Sequence, residues 1–222
     1  MNTYKMTLPI IVLCLVSCCL PVYAHHMANK LDKALVVAVA TQNIRQVRHL
    51  LSQGASASVR NNYGESLLMV AAGNEDEATV TLLLAHGAQV NARGSDGRAA
   101  LVYSAMARLS TSDENDFESQ GDMSQDRSRG PILRLMSLLI AHGANVNATA
   151  KDGRTPLMFV VAFTQSPSCT RLLLEHGANV RAKDKDGMSV FDWAVWGSQK
   201  DGTEPDDAQI IVLLKQRLQT LH

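Results

Sequence analysis

Two series of glycines, carried at identical intervals along most of the chain, restrict its fold more than any other feature. Gly-Ala pairs end apolar helical patterns at Gly54-Ala55, Gly87-Ala88, Gly143-Ala144 and Gly177-Ala178. Turn glycines follow at Gly64, Gly97, Gly153 and Gly187. Both series are spaced by 33, 56 and 34 residues (54 to 87 to 143 to 177, and 64 to 97 to 153 to 187). Since 56 is 33 plus 23, the middle unit is a normal repeat with a 23-residue insertion. A fixed period of this size means small units that cannot bury their apolar faces alone and must stack to do so.

Each unit has its own local logic. Thr155 suits a helix N-cap, where its hydroxyl satisfies an orphan N–H, and Pro156 suits the first helical position. The first helix is expected to end near Ala162. The second carries Leu172, Leu173 and Leu174 and closes at Gly177, which can take the left-handed conformation. Asn179-Val180 and the following Asp-Gly turn predict an extended finger leading to the next unit.

These units resemble the ankyrin repeat. The segment that matches best is Asp152-Gly153-Arg154-Thr155-Pro156-Leu157-Met158, closing with Leu172-Leu173-Leu174-Glu175-His176-Gly177-Ala178-Asn179-Val180. A second match runs Tyr63-Gly64-Glu65-Ser66-Leu67-Leu68-Met69 and closes with Leu82-Leu83-Leu84-Ala85-His86-Gly87-Ala88. The consensus histidine is replaced by Met69, Val102, Met158 and Asp192, and one unit alone keeps Thr-Pro. The resemblance implies an all-α solenoid of about five ankyrin repeats, helix-turn-helix pairs with β-hairpin fingers, over residues 31–222. The units fall near 31–61, 62–94, 95–150, 151–184 and 185–222, with an acidic insertion at 109–131 in the third. The last unit is expected to hold a loop from Gly197 to Asp207.

The N-terminus differs in kind. Lys5 precedes an apolar run from Leu8 to Leu20, and Val22 and Ala24 are small residues at the positions a signal peptidase reads. Residues 1–24 are therefore expected to be a signal peptide cleaved after Ala24, followed by a flexible 25–30, with the mature chain in the periplasm or secreted. The run is short for a membrane span. Leu15-Val16-Ser17-Cys18 also resembles a lipoprotein box, so a lipid anchor at Cys18 is the alternative contact with membrane. Cys14, Cys18 and Cys19 all lie in this leader, which leaves Cys169 alone in the mature chain and rules out an internal disulfide framework there.

Lys and Arg (21) balance Asp and Glu (21), so no global basic field points to nucleic acid. The insertion is locally acidic: Asp113, Glu114, Asp116, Glu118, Asp122 and Asp126 face Arg127 and Arg129. It is either a disordered excursion or an acidic contact loop, and it lacks the ligand spacing of a calcium loop. No nucleophile elbow, phosphate loop or paired metal motif occurs. His86, His142 and His176 share the position before the closing glycine, where a side-chain donor meets helix-end carbonyls, and are read as structural. His25 and His26 would begin the mature chain as a flexible tail, or as a metal-binding terminus. No cofactor, metal or catalytic residue is expected, and a metal binder or enzyme is the rival of a different class.

In the architecture the resemblance implies, the residue after the histidine position faces a concave groove: Val70, Tyr103, Phe159 and Trp193. One turn further lie Asn74, Met106, Phe163 and Trp196. Five of the eight aromatics outside the leader thus collect on one face (ten in all, less Tyr4 and Tyr23), a composition that protein interfaces favour. Some could instead be core, Trp196 under the last loop and Phe163 beside Pro167 above all. Finger tips offer Asn62, Tyr63, Arg93, Asp96, Lys151, Asp152, Lys183 and Lys185 as a charged rim. The expected function is binding of another protein by a monomer, with an immunity or inhibitor protein against an exported toxin or enzyme as a specific form.

Overall fold

The computed structural model describes residues 29–107, 130–200 and 207–220. The leader with Cys18, Ala24, His25 and His26, nearly all of the acidic insertion, and residues 201–206 of the expected last loop lie outside them. Helices within the described residues pair in chain order: α1 (29–40) with α2 (Ile44–Ser52), α3 (Leu67–Gly73) with α4 (Glu77–Ala85), and α5 (Ala100–Met106) with α6 (Gly130–Ala141). Then α7 (Pro156–Phe159), prolonged by a π turn over Val160–Thr164, pairs with α8 (Pro167–Glu175), and α9 (Val190–Lys200) with α10 (Asp207–Gln219).

The pairs stack in two rows. The first helices α3, α5, α7 and α9 touch in succession, and so do the second helices α2, α4, α6, α8 and α10. Between the rows runs one continuous core, with Leu35, Leu67, Leu68, Met69, Leu83, Leu101, Leu135, Met136, Leu139, Leu157, Leu173 and Leu214 almost wholly removed from solvent. Cys169 belongs to it as a small buried hydrophobe. All eight landmark glycines have positive φ, from +79° to +92°, so the sequence series marks backbone positions that side chains rarely tolerate.

Caps explain how the units survive their departures from the consensus. Ser66 and Thr155 accept the N–H of Met69 and Met158 at 3.3 and 3.4 Å. The thioethers of Met69 and Met158 return the favour, each accepting the cap residue's own N–H at 3.4 Å. In the last unit Asp192 does this with a carboxylate, taking the N–H of Ser189 at 2.7 Å and its hydroxyl at 2.6 Å. The third unit has Ala99 and Val102 there, and α5 begins without a side-chain cap. His142 and His176 place Nδ1 2.9 Å from the carbonyl oxygens of Leu138 and Leu172, four residues back, which meets helix-end carbonyls with a ring nitrogen.

The first helix of the fourth unit does not end near Ala162 but runs on to Thr164. Cap-to-cap spacing is 10 residues in the second unit (66 to 76) and 11 in the fourth (155 to 166). The extra residue that makes this repeat 34 long is absorbed as the π turn, closed by Gln165 in the left-handed region (φ +47°). Nor does a loop start at Gly197. It lies inside α9, where a Cβ would come within 2.8 and 2.9 Å of the carbonyl oxygens of Ala162 and Val161. Only glycine lets α9 approach the π turn this closely.

The fingers keep one turn geometry. Asn61, Gly94, Ala150 and Asp184 each donate their N–H to the carbonyl four residues on, at 2.9, 2.9, 2.9 and 3.0 Å. The expected hairpins shrink to isolated antiparallel bridges, Arg60 to Ser66 and Lys183 to Ser189, because two extended residues each side of a turn are too few for a ladder.

Candidate functional site

The ring positions sit on the first-row helices, one per unit, and each is met by a residue from the unit before. Glu65 follows turn Gly64 and accepts the Tyr103 hydroxyl at 3.0 Å, while Asn61 Nδ2 donates to its other oxygen at 2.8 Å. Arg98 follows Gly97 and places its guanidinium 5.0 Å from the Phe159 ring centre. Arg154 follows Gly153 and lies 4.4 Å from the Trp193 ring centre and 5.7 Å from that of Phe159. The separations are 38 (65 to 103), 61 (98 to 159) and 39 (154 to 193), each the local period of 33, 56 or 34 plus 5. A guanidinium over an aromatic face is attracted by the ring quadrupole.

At the far end the rings gather. Phe159 stacks on Phe163 at 6.0 Å between centres, Phe163 meets Trp196 edge-on at 5.7 Å, and Trp196 meets Trp193 edge-on at 5.4 Å. These separations and tilts are those that aromatic quadrupoles favour. Trp193 Nε1–H donates to Asp184 Oδ2 at 2.9 Å, which fixes the indole against the last finger. Asp184 is buried, and its Oδ1 accepts the N–H groups of Asp186 and Met188.

Exposure along this line is uneven. Trp196 is 38 % exposed, Trp193, Phe163, Tyr103, Met106 and Val70 are half-buried, and Asn74 is exposed. Phe159 departs from expectation: it is fully buried, because Arg98, Arg154 and Phe163 cover its ring. It supports the surface and is not part of it. Val37, which lies 33 residues before Val70, is 59 % exposed and extends the same series into the first unit. Subtracting one period from Val70 finds it in the sequence. Glu65, Arg98 and Arg154 were also missed, although their constant offset from the rings is a sequence signal.

The charged rim divides into two groups. Arg93 is no free tip: its guanidinium donates to the Thr149 carbonyl of the next finger, as Arg60 donates to the Arg93 carbonyl at 2.8 Å. Asp96 and Asp152 are half-buried, paired with Arg98 at 3.4 Å and Arg154 at 2.9 Å. Their carbonyls accept the N–H of Lys151 and Lys185 at 2.9 and 3.0 Å, tying neighbouring tips together. Asn62, Tyr63, Lys151, Lys183 and Lys185 point outward and are exposed.

Two groups along the face have shifted acidities. Burial first, then hydrogen bonding to Glu65, pushes the Tyr103 phenol well above its ordinary value of 10.0. The side chain and then the backbone N–H of Ser189 hold the Asp192 carboxyl below the usual range. Among the described residues no group of three or more His, Cys, Asp or Glu side chains is arranged to hold a metal ion. No described helix is long and apolar enough to cross a membrane.

A family model described as ankyrin repeats (3 copies) matches residues 35–112 and 128–204, well over half of the chain. No curated protein matches the chain.

Proposed function

Since the chain belongs to the ankyrin-repeat family, whose members generally mediate protein–protein interaction and are typically not enzymes, we propose that it takes a partner protein on its concave face. Contact centres on Trp193 and Trp196. The observation that carries this reading is the connected cluster of Phe159, Phe163, Trp193 and Trp196, whose outer members are kept partly in solvent. Rigid aromatic anchors lose little conformational entropy on binding, which is why they dominate interface hot spots.

In this reading residues 1–24 export the chain and the partner is met in the periplasm or outside the cell. N-terminal sequencing of the protein recovered from its own cell checks that point. Sequence starting at His25 supports cleavage after Ala24, an acylated start at Cys18 supports the lipid anchor, and an intact Met1 in soluble protein removes export.

The binding face is tested by photo-crosslinking in the native cell, with a photoreactive phenylalanine analogue at position 196 or, on the opposite row, at Thr81 of α4, which is exposed. A discrete adduct from position 196 and none from position 81 is expected. Adducts from position 81 alone would place the partner on the other side of the stack.

A further inference from the structure

We propose that the partner presents an acidic segment with an aromatic or apolar anchor, the anchor lodging on Trp193 and Trp196 and the carboxylates meeting Lys151, Lys183 and Lys185. This deepens the reading above and rests on it.

The two tryptophans and the three lysines share one corner of the molecule. Trp193 is hydrogen-bonded to Asp184, which lies between Lys183 and Lys185 in the last finger. The Lys185 N–H bonds to the carbonyl of Asp152, the residue after Lys151, so the tips of the fourth and fifth units are held side by side. Arg154, which covers Trp193, belongs to the same fourth-unit turn. All three lysines are exposed, and none has an ion pair among the described residues.

Acidic groups at this corner are mostly committed. Asp152 pairs with Arg154. Asp184 is buried and occupied by Trp193 and two backbone N–H groups. Asp192 is engaged through Oδ2, which accepts from Ser189. Asp186 and Asp192 are exposed, the latter also drawn toward Lys183, so three exposed lysines stand against two exposed aspartates beside an apolar patch formed by Trp193 and Trp196. A rim of this sign steers and selects an acidic partner, while the rings supply burial. The same chemistry could stack nucleic acid bases. Asp152, Asp186 and Asp192 interleave with the cations, however, and the chain is neutral overall, which disfavours a polyphosphate track.

The test uses a displayed library of short random peptides selected against the mature chain. Binding is read from the fluorescence anisotropy of dye-labelled selected peptides, because the chain's two tryptophans both lie at this corner and are removed together in the W193A/W196A variant. A selected pool rich in Asp and Glu around an aromatic or aliphatic residue is expected, with affinity falling as salt rises. The K183E/K185E double variant should bind that pool about tenfold more weakly, with its helical circular dichroism unchanged. A pool without acidic enrichment, or no pool at all, overturns the proposal. So does binding of oligothymidylate more tightly than of the selected peptides. If W193A/W196A selects the same pool as the parent, the concave-face reading itself fails, whereas a pool lost on W193A/W196A but unaffected by K183E/K185E overturns only the acidic segment.

Discussion

Phe159 shows how a residue can be assigned to the right line and the wrong depth. Counting from the turn glycine puts it level with Val70, Tyr103 and Trp193, and the structure keeps that register. Depth depends on what reaches over the ring from outside its helix: Arg98 comes from the preceding unit and Arg154 from the turn of its own. Its substitution is therefore a stability test. Phe159→Ala should cost about 3–5 kcal/mol in chemical denaturation, the range for removing a buried aromatic. Tyr103 carries a pH prediction. Its folded-state phenol is held above 10.0 by burial and by Glu65, so the unfolded chain ionises first as pH rises. Its stabilising contribution is whole below pH 10 and is lost as pH climbs toward the folded value. Tyr103→Phe should flatten that alkaline decline when unfolding is followed across it. An unchanged decline would assign it to other groups.

Among elements, the first helices of the units were legible to different extents. The π turn was written in the count, since a 34-residue repeat beside a 33-residue one must place one residue somewhere, and the cap spacings locate it between Thr155 and Ser166. Its form was not legible, because it depends on α9 packing against the π-turn carbonyls through Gly197. That same packing continues α9 through Lys200 where a loop was expected. The α5 element lacks what its neighbours have. Ala99 holds the extended conformation of an N-cap (φ −104°, ψ 170°) with no oxygen to use, at the position where Ser66 and Thr155 cap their helices. Ala99→Thr should supply the missing bond and raise stability by about 1 kcal/mol, read as a shift in denaturation midpoint at unchanged slope. A loss of stability would mean that the buried site has no room for the hydroxyl.

At the scale of the whole molecule, the period read from the glycines became two rows of stacked helices, because positions one repeat apart must become neighbours if each unit is to bury its apolar face. What the period could not show is how the units grip one another. The grip runs from the residue after Gly64, Gly97 and Gly153 to the ring of the next unit, so this face is built from contacts between repeats as well as within them. The most direct test is a double-mutant cycle on stability with Arg154→Ala and Trp193→Ala, set against the same cycle for Arg154→Ala and Val37→Ala at the distant end. The inter-repeat grip predicts a coupling of about 1 kcal/mol for the first pair, within the range for a guanidinium over an indole, and none for the second. Equal coupling in the two cycles would contradict it.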